Sequence, residues 1–182
     1  MAFRDFGKFF DFVFGPDMKC VPSFWYDYDL GLLTIDETAA EVAKFRDCDA
    51  ATAKAHMLQA ISLQEEVEPT VELIKELKAK GYKLYVLSNM SKEYIEFLRK
   101  LPVFDYFDYQ VVSSEIHLGK PDPKIYNYLL EHCELNPAET IFIDDRKDNV
   151  EVAESVGIVP FHFDRRNPQQ ACDELRKVIY NE

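Results

Sequence analysis

The sequence is short of positive charge. Its 182 residues carry 21 Lys and Arg against 33 Asp and Glu, a formal net charge of −12. That deficit argues against a surface for nucleic acid or for an anionic membrane, because both recruit basic patches. It leaves small phosphorylated ligands open, since a few local cations suffice for those. A CxxC pair is also lacking. Cys20, Cys48, Cys133 and Cys172 are widely spaced, which reads as reduced cytosolic thiols rather than a disulfide frame or a zinc site. No apolar run is long enough to span a bilayer. The N-terminal phenylalanines are interrupted by Arg4, Asp5, Lys8 and Asp11, unlike a secretory h-region. Internal repeats and low-complexity segments are missing too. What is present is a large apolar content, 47% of residues, on a chain whose length suits one domain or one domain with a small insert.

The first third of the chain has a helical pattern. Phe3, Phe6, Phe10, Val13 and Phe14 fall near helical spacing before Gly15-Pro16, although KFFDFVF also fits a strand. Ser23 to Leu33 predicts a short aromatic and acidic helix ending near Gly31. Thr34 to Glu37 matches a capping box, opening a helix to about Arg46. Asp49 is a candidate cap for another helix through about Ile61, with Met57, Leu58 and Ile61 as its packing face.

From Pro69 onward the pattern alternates. Helices are predicted from Pro69 to Gly81, after Ser91, after Asp122-Pro123, over Asp148–Val156 and over Pro168–Tyr180. Strands are predicted at Lys83–Leu87, Tyr109–Val112, Thr140–Ile143 and Ile158–Phe163. Such alternation argues for an α/β fold with a Rossmann-like parallel sheet and helices on both faces. We therefore expect a helical region over residues 1–66 and an α/β core over residues 67–182. Ligands of such sheets bind beyond the C-terminal strand ends.

Chemistry gathers at those ends. TIFIDDRKDNV, residues 140–150, reads as a buried strand halted by Asp144 and Asp145, with Asp148 and Asn149 one turn on. Hard oxygen ligands in that place suit Mg²⁺. They also suit a helix N-terminus with acids facing its dipole. Strand KLYVL runs into Ser88-Asn89-Met90-Ser91, where a hydroxyl and backbone N–H groups form a ready anion site; Ser91 reads as the helix cap. Lys120 stands between Gly119 and Pro121 in a stiff loop, a fixed point charge for a phosphate or a carboxylate. His117 is a candidate acid or base, or a structural loop histidine. A serine donor, a lysine and an acid pair around one anionic group match phosphoryl transfer, which is mostly positioning and charge neutralisation.

Three stretches together resemble the haloacid dehalogenase superfamily, specifically phosphatases with a small helical cap: YVLSNMS at 85–91, GKPDPKIY at 119–126 and IFIDDRKDNV at 141–150. The match covers roughly residues 67 to 165, and WYDYDLG before the capped helix looks like cap. The resemblance implies a Mg²⁺-dependent phosphatase of small phosphorylated metabolites. In it Ser88, with Asn89 beside it, would hold the phosphate. Lys120 would bridge phosphate and nucleophile, Asp145 would bind the metal directly, and Asp144 and Asn149 would support it.

The family's first motif, a strand ending in Asp-x-Asp or Asp-x-Gly before the cap, has no counterpart. Asp11 in FFDFVFG is followed by Val13 where the second acid or glycine belongs. The resemblance therefore implies a chain that begins after the nucleophile strand, and the alternative is a non-catalytic relative that binds a phosphorylated ligand. The resemblance would place the missing strand between Lys83–Leu87 and Thr140–Ile143. Without it those two strands are expected to close up and pair, with Lys8–Phe14 helical on the cap side.

Overall fold

The structure, a computed structural model, describes residues 11–15 and 21–180. The proposed helix over residues 1–14 is helical where it is described, at residues 11–14, and its earlier part lies outside the described residues, as does Cys20. Cys48, Cys133 and Cys172 are free thiols. Among the described residues no helix is long and apolar enough to cross a membrane.

The chain divides into two compact units. The first holds the described residues up to Glu65, with Asn89–Phe104 and Val112–His117. It is built from α1 (Ser23–Asp29), α2 (Ile35–Arg46), α3 (Ala50–Ser62), α5 (Lys92–Leu98) and the single turn α6 (Ser113–Ile116). The capping box forms as its sequence requires: Glu37 N–H donates to Thr34 Oγ1 at 3.2 Å, and Thr34 N–H donates to Glu37 Oε2 at 2.8 Å. Asp49 and Ser91 cap α3 and α5 by accepting from the Thr52 and Tyr94 backbone N–H groups. Val13, Phe14, Tyr28, Ile35, Val42 and Met57 make the core of this unit, with Phe24 and Trp25 packed on it. Leu58, expected in that core, is 43% exposed, because the face of α3 that packs runs through Ala53, Met57, Ala60 and Ile61 instead.

The second unit comprises Glu66–Ser88, Asp105–Val111 and Leu118–Glu182. Its elements are α4 (Glu68–Ala79), β1 (Tyr85–Ser88), most of β2 (Tyr109–Val112), α7 (Pro123–His132), β3 (Ile141–Asp144), α8 (Lys147–Ser155), β4 (Val159–His162) and α9 (Pro168–Tyr180). Leu73 and Leu77 of α4 meet Cys172 and Leu175 of α9 over Ile141 and Phe161 of the strands. The fold is α/β, as the alternation of elements requires. β3 and β4 run parallel, with Ile141 opposite Val159 and Asp144 opposite His162.

The sheet departs from expectation in one respect. Among the described residues β1 pairs with β2 and β3 pairs with β4, in two separate two-stranded sheets. The expected closure of β1 onto β3 does not form. β3 is paired with β4 along its whole length, from Ile141 to Asp144, and which strands pair is a long-range choice that the local pattern does not carry. The strand bounds also shift by one to two residues. β1 ends at Ser88 rather than Leu87, and β3 includes Asp144.

Candidate functional site

Asp144 ends β3, where an unpaired carboxylate would be costly to bury. It stays there because it is paired. Lys120 Nζ donates to Asp144 Oδ2 at 2.5 Å, and the two side chains are only 9% and 7% exposed. The other oxygen, Oδ1, accepts from Arg146 N–H at 2.9 Å and from Asn149 Nδ2 at 3.0 Å. Lys120 Nζ also lies 5.3 Å over the Phe142 ring, a cation–π contact. Three of the residues singled out in the sequence, Lys120, Asp144 and Asn149, are thus joined by side-chain contacts.

Asn149 adds a second observation. The residue is 4% exposed, in the first turn of α8, and its Oδ1 is buried with no hydrogen-bond partner. An orphaned buried oxygen is costly, and this one sits beside a carboxylate. Tyr126 fixes that turn. Its hydroxyl donates to the Asn149 carbonyl at 2.9 Å, and its ring meets Phe142 edge-on at 5.2 Å. Burial, then the nearby Asp144 charge, pushes the Tyr126 phenol up, so it remains a donor. The sequence marked Tyr126 only as the last residue of GKPDPKIY, and no local signal gave its hydroxyl a partner 23 residues away.

Asp145 follows in the turn. Its carboxylate Oδ2 lies 3.1 Å from Arg165 Nη1, with side chains 37% and 53% exposed. His162 Nε2 donates to the Asp145 main-chain carbonyl at 2.9 Å. Arg146 turns away to Asp148, at 2.5 Å and 3.1 Å, and holds that carboxyl below the usual range. Among the described residues no group of three or more His, Cys, Asp or Glu gathers as a metal site. What the turn offers is two carboxylates and one unpartnered amide oxygen, the oxygen-only donor set that Mg²⁺ takes while keeping several waters. The residues present fit that ion.

Ser88 is the last residue of β1 in the second unit, at the C-terminal end of its strand as Asp144 is of β3. Asn89 begins the segment of the first unit that runs into α5. In that unit His117 has a structural role: its Nδ1 donates to the Leu30 carbonyl at 2.8 Å, and its backbone is left-handed at φ 56°. Asp29, which the sequence reading passed over, ends α1. Burial pushes its carboxyl up to about 7, against the Ser91 N–H that favours the ionised form. Ser113 Oγ donates to the Asp29 carbonyl and accepts from Met90 N–H at 2.9 Å.

Comparison with known proteins gives the family. A family model described as haloacid dehalogenase-like hydrolase matches residues 22–157. A sesquiterpene phosphatase of Aspergillus oryzae is 33% identical over 108 residues, 59% of this chain and 54% of the relative. A phosphorylated carbohydrates phosphatase of Thermotoga maritima is 38% identical over 88 residues, 48% of this chain and 41% of the relative. The chain therefore spans about half the length of these two curated relatives. Among solved structures, a HAD-like family hydrolase of Porphyromonas gingivalis superposes with a TM-score of 0.75 at 23% identity, covering 93% of this chain and 88% of that one. A HAD family enzyme of Bacteroides thetaiotaomicron, in complex with magnesium and inorganic phosphate, gives 0.66 at 25% identity, covering 76% and 73%.

Proposed function

The chain belongs to the haloacid dehalogenase-like hydrolases, and from that premise we propose that it forms part of a Mg²⁺-dependent phosphatase of small phosphorylated metabolites, acting in the cytoplasm. The observation that carries the reading is the buried Lys120–Asp144 pair beside the unpartnered Asn149 Oδ1. Lys120 is a cation fixed at the strand end, pre-set to neutralise a phosphoryl oxygen. Ser88 would donate to the phosphate. Asp145 would hold the metal directly, with Asp144 and Asn149 in support. Mg²⁺ bound there would draw charge off the transferred oxygens. The helical region over residues 1–66 would serve as the cap and carry substrate specificity. Relatives named for sesquiterpene and carbohydrate phosphates support phosphomonoesters as the substrate class.

The nucleophile would come from a strand preceding this region, in the place between β1 and β3. Asp11 does not supply it, being exposed and in helical residues 11–14. That observation also favours a second reading, a relative that holds a phosphorylated ligand without turnover. The two separate on phosphate release from a panel of small phosphomonoesters, assayed with Mg²⁺ and with chelator on the chain together with any in-frame sequence upstream of Met1. Turnover only with Mg²⁺ supports the phosphatase. Ligand binding with no turnover supports the binding protein.

A further inference from the structure

Asp144 and Asp145 are neighbours in sequence, yet they are neutralised differently. The counter-charge of Asp144 is built in. Lys120 is buried with it, and two further donors fill its second oxygen. Parting that pair would leave a buried charge alone. The cation on Asp145 is of another kind. Arg165 reaches it from the loop between β4 and α9, at 3.1 Å, with both side chains a third or more exposed. Exposed pairs of this sort are weak and screened by salt. Meanwhile His162 holds the main chain of Asp145 through its carbonyl, not through the carboxylate. The backbone at Asp145 is therefore anchored, while its carboxylate is covered by a group that can leave.

A divalent cation at Asp145 needs that oxygen. It also repels a guanidinium a few ångströms away. The two cations compete for one carboxylate, and the exposed one yields. We propose that Arg165 is the displaceable counter-ion of Asp145: it occupies the carboxylate in the metal-free protein and is released when a divalent cation binds. This rests on the reading of Asp145 as a metal ligand. The consequence is a gate on metal affinity set by one arginine outside the three strand-end motifs.

The test is Mg²⁺ binding by calorimetry to the wild-type chain, Arg165→Ala, Arg166→Ala and Asp145→Asn, at about 20 mM and about 500 mM salt. Arg166→Ala removes the same charge one residue away, and so controls for net charge. The expected result is affinity tightened about two- to fivefold in Arg165→Ala at low salt, less than that in Arg166→Ala, a gap that narrows at high salt, and binding lost in Asp145→Asn. In parallel, Mg²⁺ should move the Arg165 side-chain NMR signal as Asp145→Asn does. Equal affinities in the two arginine variants, or weaker binding in Arg165→Ala, would overturn the counter-ion while leaving Asp145 as a ligand. No Mg²⁺ binding in any variant would overturn the metal reading and the counter-ion together.

Discussion

At the scale of single residues, the ends of β1 and β3 were legible because their chemistry is local. An apolar run that halts at two acids announces itself, and so does a lysine between glycine and proline. The partners of those residues were not legible. Lys120 meets Asp144 across 24 positions, and Arg165 meets Asp145 across the β3–β4 crossover. Only packing decides such pairings. Two predictions belong here. Lys120→Met strands the Asp144 carboxylate in a dry site, so the chain should lose about 3–5 kcal/mol of stability. The double variant Lys120→Met with Asp144→Asn should recover most of it. Denaturant unfolding checks this, and equal stability in the single variant and wild type would mean the pair is not buried in solution. The second concerns Asp29. Its folded-state pKa, about 7, lies above the ordinary 3.8. The folded state therefore holds a proton that the unfolded state has shed between those values. Its contribution is fully present below about pH 4 and is lost as pH rises through 7, at about 1.4 kcal/mol per pH unit. The stability of Asp29→Asn relative to wild type should accordingly rise from pH 4 to pH 7. A difference flat across that window would show the carboxyl to be solvated.

At the scale of elements, caps and terminators were read correctly from short motifs. Thr34, Asp49, Ser91 and Asp122 each accept a backbone N–H where expected. Local hydrogen bonds need no tertiary context, which is why these survived. The reading of Gly31 as a helix end was right for an incomplete reason. It does take a left-handed φ of 68°, but a Cβ there would also lie 2.5 Å from the Ser114 carbonyl oxygen. The turn after α1 thus presses on α6, and the His117–Leu30 bond holds the same contact. Gly31→Ala should destabilise the helical unit by well over the ~1 kcal/mol typical of a glycine swap. Hydrogen exchange of α1 and α6 amides would read it. Unchanged protection would show that the turn has room to shift.

At the scale of the whole chain, strand and helix alternation gave the α/β class, and chain order gave the elements. The pairing of strands could not be read, because register is a long-range choice. β3 carries Ile143 at 42% exposure, and every residue of β1 is only half-buried. Among the described residues these strands stand at sheet edges, which are sites for another strand, and two-stranded sheets are marginal alone. The chain by itself should unfold at low temperature or associate. A synthetic apolar strand ending in Asp-x-Asp should raise its thermal midpoint. A cooperative monomeric transition indifferent to the peptide would mean that the described sheets need no further strand. The central claim, a Mg²⁺-dependent phosphatase, is tested most directly by phosphate release. The measurement is turnover of small phosphomonoesters by the chain together with any in-frame sequence upstream of Met1, with Mg²⁺ and with chelator, for wild type, Lys120→Ala and Asp145→Asn. The account predicts Mg²⁺-dependent release that each substitution cuts by at least about 10²–10³-fold, the loss of roughly 2.7–4 kcal/mol of charge stabilisation. Release that survives chelation, or that neither substitution changes, would contradict it.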